Sequence, residues 1–256
     1  MGRRQTERAG NMVGQGASLG ILMLQTRFPR ICGDIGNPET WPFPVAYRVV
    51  AGATSQRVVR ERATGLLDAF CEAAQELVAE GVSGITTTCG FLALFQAELA
   101  RRCGVPVAAS SLMQVPFVAR TLGPDRQVGI LTISAETLTR EHLAAAGVPA
   151  ETPVVGTEHG RAFTRAILND EPTLDAAAAE QDICEAGARL VAGNPDLGAI
   201  VLECTNMAPY ARSLRDACGL PVFDIYSFIS WFHAGLQPRD FGSVAPAPPM
   251  AAESGR

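Results

Sequence analysis

Ile200-Val201-Leu202-Glu203-Cys204 repeats, 115 residues later, the run Ile85-Thr86-Thr87-Thr88-Cys89. Both runs are apolar and β-prone up to the cysteine. The first gives way to a helical pattern from Phe91 to Arg102 and then Cys103-Gly104-Val105-Pro106-Val107; the second gives way to Ala208 to Ala217 and then Cys218-Gly219-Leu220-Pro221-Val222. The same offset holds at Cys89/Cys204, Cys103/Cys218, Gly104/Gly219, Pro106/Pro221 and Val107/Val222. Leu77-Val78-Ala79 returns as Leu190-Val191-Ala192, and Gly20-Ile21-Leu22 as Gly129-Ile130-Leu131. The chain therefore reads as a duplication in which each half ends a strand on a cysteine.

Strand-like runs at about 19–24, 45–50, 84–89, 106–110, 127–134, 153–156, 199–204 and 221–225 alternate with helical patterns, the order of an α/β architecture with parallel sheets. Between residues 62 and 80, Leu66, Phe70, Ala73, Leu77 and Val78 fall on one helical face. The strands are apolar throughout, as in sheets covered on both faces. The expected architecture is two similar α/β domains related by a pseudo-twofold axis: 16–111 plus 222–241, and 112–221. Flexible ends are expected at 1–15 and 242–256, and the active site in the cleft between the domains. Residues 25–44, rich in Pro, Gly and aromatics, are expected to fold over that site as a lid.

A net charge of -5 with dispersed charges gives no footprint for nucleic acid or for a membrane surface, and no apolar run is long enough to span a bilayer. A small molecule is the expected partner. Seven cysteines, none spaced as CxxC, read as reduced thiols in a cytoplasm. All 21 basic residues are arginine. Without lysine there is neither a pyridoxal phosphate Schiff base nor a P-loop, and no histidine has metal spacing with a cysteine. The expected chemistry uses no cofactor and no metal.

Cys89 and Cys204 each sit where a strand ends and a helical pattern begins, the ligand-binding end of an open α/β sheet. Free backbone NH groups there lower a thiol's pKa and can hold a carboxylate. Opposed across a cleft, one thiolate can take a proton from a carbon while the other thiol returns one to the opposite face. The competing reading is a pair of small buried hydrophobes. It suits Cys103 and Cys218, which follow helices, better than Cys89 and Cys204, which are flanked by Thr88, Gly90, Thr205 and Asn206. Further candidates for binding a carboxylate are Phe91, Ser110, Ser111, Thr132, Arg27, Arg48 and Tyr47, with solvated or structural roles as the alternative for each.

These residues resemble the cofactor-independent aspartate/glutamate racemase superfamily, in which two similar α/β domains each contribute one catalytic cysteine. Thr88-Cys89 and Glu203-Cys204-Thr205 match its two cysteine motifs. Amino-acid racemases carry Cys-Asn-Thr at the first motif, where this chain has Cys89-Gly90-Phe91. Within the superfamily the chain is similar to the algal dimethylsulfoniopropionate lyase group, through Gly33-Asp34-Ile35 with Pro38, Tyr47-Arg48-Val49-Val50, Cys89-Gly90-Phe91 with Phe95-Gln96, Ser110-Ser111-Leu112, and Glu203-Cys204-Thr205 with Pro209-Tyr210. The resemblance implies proton abstraction next to a carboxylate by Cys89 and Cys204 in a homo-oligomer. Three outcomes stay open: a racemase, which is the first reading; a β-elimination lyase giving dimethyl sulfide and acrylate; and a small-carboxylate-binding protein without catalysis.

Overall fold

Leu19–Leu24 (β1) is buried at every position, and its small residue, Gly20, is where a helix presses closest. A side chain at Gly20 would overlap Ile85 and meet Leu77, the helical leucine singled out by the repeat. In the second half Gly129 receives Leu190 and Leu197 in the same way. The repeated Gly and Leu are thus two sides of one contact, which brings a helix close enough to cover the central strand of each sheet.

In a computed structural model that describes residues 16–240 and Gly242, two four-stranded parallel sheets share one topology. The first half runs β1, Val45–Val50 (β2), Ser55–Val59 (α1), Leu67–Ala79 (α2), Gly84–Thr87 (β3), Gln96–Cys103 (α3), Val107–Ala108 (β4) and Val115–Thr121 (α4). The second runs Gln127–Thr132 (β5), Arg140–Ala145 (α5), Val154–Gly156 (β6), Phe163–Leu168 (α6), Ala176–Gly193 (α7), Leu197–Leu202 (β7), Ala211–Cys218 (α8), Val222–Phe223 (β8) and Ile225–Leu236 (α9). The sheet orders are β2-β1-β3-β4 and β6-β5-β7-β8. Among the described residues no helix is long and apolar enough to cross a membrane.

The last helix of each half crosses over. α9 lies on the first sheet, where Phe232 and Leu236 fill the space above Gly84. α4 lies on the second, with Leu122 at its end packed against Gly198. Val222–Phe223 pair with β7, so the chain returns to the first sheet at Asp224 rather than at the expected 222. The strand after Pro221 must pair beside its own β7, as the strand after Pro106 does beside β3. The expected flexible ends lie outside the described residues, apart from Gly242.

Two helical expectations are corrected. Arg62 and Ala63 take positive φ, so the amphipathic helix begins at Leu67. The segments after both cysteines begin as 3-10 turns, Gly90–Phe95 and Thr205–Tyr210, before α3 and α8. Gly104 and Gly219 end those helices in the left-handed conformation, φ 72° and 68°, where a side chain would be strained.

Candidate active site

Cys89 and Cys204 cap the two 3-10 turns, and both line one small cavity to which the two halves contribute. Leu24, Phe28, Ser55, Val59, Thr88 and Phe91 come from the first half; Ile133, Ile167, Leu168, Glu203, Thr205 and Asn206 come from the second. Two ion pairs tie the halves together at the edges of the cavity: Arg27 with Asp170 (3.1 Å) and Arg62 with Glu141. The Asp170 carboxylate also receives the backbone NH groups of Arg27 and Phe28, which fastens the start of the 25–44 loop to the second half.

That loop is held from beneath as well. Trp41 Nε1 and the Tyr47 hydroxyl both donate to the Ile35 carbonyl (3.1 Å each), and Tyr226 of α9 stacks on Trp41 at 5.5 Å. Asp34, 3% exposed, accepts from Arg30 (3.0 Å) and from the Gly36 amide, and its other oxygen accepts from Asn206 Nδ2 at 2.6 Å. The Cys204 thiol donates to Asn206 Oδ1 at 3.6 Å. A buried chain Arg30–Asp34–Asn206 therefore fixes the amide that meets Cys204. No comparable side chain meets Cys89, whose sulfur faces the backbone NH groups of Phe91 and Leu92.

The expected depressed thiol pKa is not what this geometry produces. Burial pushes both thiols up, and the neighbouring Glu203 pushes them further, outweighing the NH groups that favour a thiolate. A 3-10 turn has less aligned backbone than the start of a long helix, so the opposing dipole effect is small.

Glu203 is the site residue whose role the sequence reading missed. Its carboxyl is buried and raised to about 7, chiefly by desolvation, although Thr132 donates to Oε2 at 2.7 Å and the Ile133 amide also bonds it. Gly90 makes room for it: a Cβ there would overlap the carboxyl and carbonyl oxygens of Glu203. The signal in the sequence was an acidic residue inside an apolar strand end, opposite a glycine where the repeat has Thr205.

The other expected binding residues separate cleanly. Thr88, Phe91, Thr205 and Asn206 line the cavity, Thr132 reaches it through Glu203, and Gly90 packs behind it. Ser110 caps the turn Ser111–Gln114, and Ser111 donates to the Leu202 carbonyl at 2.6 Å; both are fully buried away from the cavity lining. Tyr47 serves the loop, Arg48 binds Glu76 and Glu80 of α2, and Arg27, its side chain 70% exposed, binds Asp170. Ser55, Phe28 and Asp34 enter the site without having been expected. Among the described residues no group of three His, Cys, Asp or Glu could hold a metal ion.

No family model matches the chain. A dimethylsulfoniopropionate lyase of Durusdinium sp. clade D is 32% identical over 228 residues, which is 86% of this chain and 75% of that protein. The chain belongs to the dimethylsulfoniopropionate lyase family. Dimethylsulfoniopropionate lyase 3 of Emiliania huxleyi is 33% identical over 226 residues, 83% of this chain and 58% of that longer protein. Among solved structures, allantoin racemase from Klebsiella pneumoniae superposes with a TM-score of 0.60 at 19% identity, over 86% of this chain and 87% of that one. Arylmalonate decarboxylase, in a sulfate-associated mutant form, gives 0.59 at 16% identity, over 85% and 92%. The chain thus shares the fold of these two enzymes.

Proposed function

We propose that the chain is a lyase acting on dimethylsulfoniopropionate or a close sulfonium carboxylate. A cysteine thiolate takes the proton α to the carboxylate, the C–H electron pair forms the new double bond, and the C–S pair departs with sulfur. The products are dimethyl sulfide and acrylate.

The observation that carries this reading is the inequality of the two cysteine environments. A two-base racemase exchanges the roles of its two thiols between the two directions of the reaction, which favours matched surroundings. Here the Cys204 thiol is hydrogen-bonded to Asn206, which Asp34 and Arg30 hold, while the Cys89 sulfur has the backbone amides of Phe91 and Leu92, and both share Glu203 as a neighbour. Elimination needs one base, because dimethyl sulfide leaves as a neutral molecule and takes no proton. The carboxylate is held by NH groups of the turns after Cys89 and Cys204 and by the hydroxyls of Ser55 and Thr88, with water excluded by the 25–44 loop. Burial raises both thiols, and the positive charge of the substrate beside them favours the thiolate that takes the proton.

Retention of both cysteines favours a racemase as the second reading, and one experiment separates the two. The enzyme is incubated with dimethylsulfoniopropionate or small amino acids in deuterated water and followed by proton NMR. Acrylate signals are expected; α-deuterated substrate without an alkene would replace the lyase by a racemase. All seven cysteines are free thiols, which fits a reducing cytoplasm. Exposed Trp231 and Phe117 offer apolar surface for a homo-oligomer, which sedimentation tests.

A further inference from the structure

Glu203 has no task in the elimination as written, yet the fold keeps it at some cost. Its Oε2 is bonded to Thr132, while Oε1 has no hydrogen-bond partner and the residue is 1% exposed. A buried oxygen left without a partner destabilises the fold. At the corresponding place in the first half a threonine hydroxyl makes the equivalent bond, from the Leu24 amide to Thr88, with no charge involved. Gly90 is left bare to admit the carboxyl. Something that enters the cavity must repay this.

The surroundings restrict what that is. Phe28 and Phe91 line the same cavity as Glu203, and among the described residues no arginine or histidine does. Among the described residues the other titratable groups lining it are the thiols Cys89 and Cys204; the Arg30 guanidinium, paired with Asp34, lies 4.9 Å from the centre of the Phe28 ring, so one face of that ring already carries a cation, which Asp34 neutralises. A hydrogen-bond donor or a cation would complete Oε1. Aromatic faces next to a carboxylate favour a cation that is weakly hydrated and carries no donor of its own. Resting on the lyase reading, we infer that Glu203 is the specificity-determining counter-ion of the site, its free oxygen seating the sulfonium group between the rings of Phe28 and Phe91. As the cation enters, the protonated carboxyl releases its proton to solvent. When the C–S pair leaves with neutral dimethyl sulfide, the carboxylate has lost its partner and takes a proton back.

The test compares dimethylsulfoniopropionate with 4-methylpentanoate, its uncharged isostere, by titration calorimetry in buffers of different ionisation enthalpy. The wild type should bind the cation more tightly by roughly tenfold to a hundredfold. Glu203→Gln should lose most of that preference while binding 4-methylpentanoate as before. Proton release on binding the cation should be larger by about one below pH 6 than above pH 8, a readout that needs no variant should Glu203→Gln fail to fold. Equal affinity of the wild type for the two ligands, or a preference unchanged in Glu203→Gln, or proton release that is the same at pH 6 and pH 8, overturns the inference. Dimethyl sulfide production is read separately. A cation preference without dimethyl sulfide keeps the counter-ion and removes the lyase, whereas dimethyl sulfide without the preference does the reverse.

Discussion

At the end of β3, the Thr88 amide bonds the Leu22 carbonyl (2.9 Å) and the Thr88 hydroxyl receives the Leu24 amide (3.1 Å). At the end of β7, the Glu203 amide bonds the Leu131 carbonyl (2.8 Å) and the Glu203 carboxyl receives the Ile133 amide. The two halves use one backbone device to tie neighbouring strand ends, and fill its side-chain position with a hydroxyl in one copy and an ionisable group in the other. The next positions diverge too, Gly90 and Phe91 against Thr205 and Asn206. Duplication has kept the scaffold and the thiols and has let their surroundings part. A site built this way can treat the two faces of a substrate differently.

The comparison is broken most severely at the thiols. Cys89→Ser and Cys204→Ser should each lower kcat, and by unequal factors, with the thiol that acts as base losing about 10²–10⁴; steady-state dimethyl sulfide release measures this, and equal losses would argue for interchangeable bases. Glu203 comes next. Its folded pKa of about 7 lies above the ordinary carboxylate value, so the stability this group contributes is complete below about pH 4.5 and is lost as pH rises through 7. The loss should approach about 3 kcal/mol at pH 8, so Glu203→Gln should be more stable than the wild type there and lose that advantage near pH 4.5, read from urea unfolding at the two pH values. Gly90→Ala, forced against the Glu203 oxygens, should cost about 1–3 kcal/mol by the same assay. The smallest effect should fall where the halves remain alike: Gly104→Ala and Gly219→Ala meet open space at nearly the same φ and should each cost about 1 kcal/mol. A clear difference between those two would show that the halves diverge beyond the site.

The fold was legible because its signals repeat. Strand ends, the Cys-Gly-X-Pro-Val stretches and the Gly20/Leu77 and Gly129/Leu190 pairs are local patterns, and each appears twice. The cavity residues next to the cysteines were legible for the same reason. What escaped the sequence depends on contacts between distant segments. Nothing in the neighbourhood of Arg27 shows that Asp170 claims it, or that Ser111 is spent on the Leu202 carbonyl. The direction of the thiol shift was also misjudged, because it turns on how deeply the sulfurs are buried and on a carboxyl beside them, not on the residues that follow. One Asp34 oxygen takes the Gly36 amide two residues on, and the other serves Asn206, 172 positions away.

The crossed terminal helices also say something about ancestry. Half of this chain, made alone, would present a sheet whose covering helix belongs elsewhere and a helix with no sheet beneath it. Two such halves would complete each other only by exchanging those helices. The single polypeptide thus has the form of a helix-swapped dimer within one chain. Being covalently linked, its two cysteine turns no longer had to stay identical.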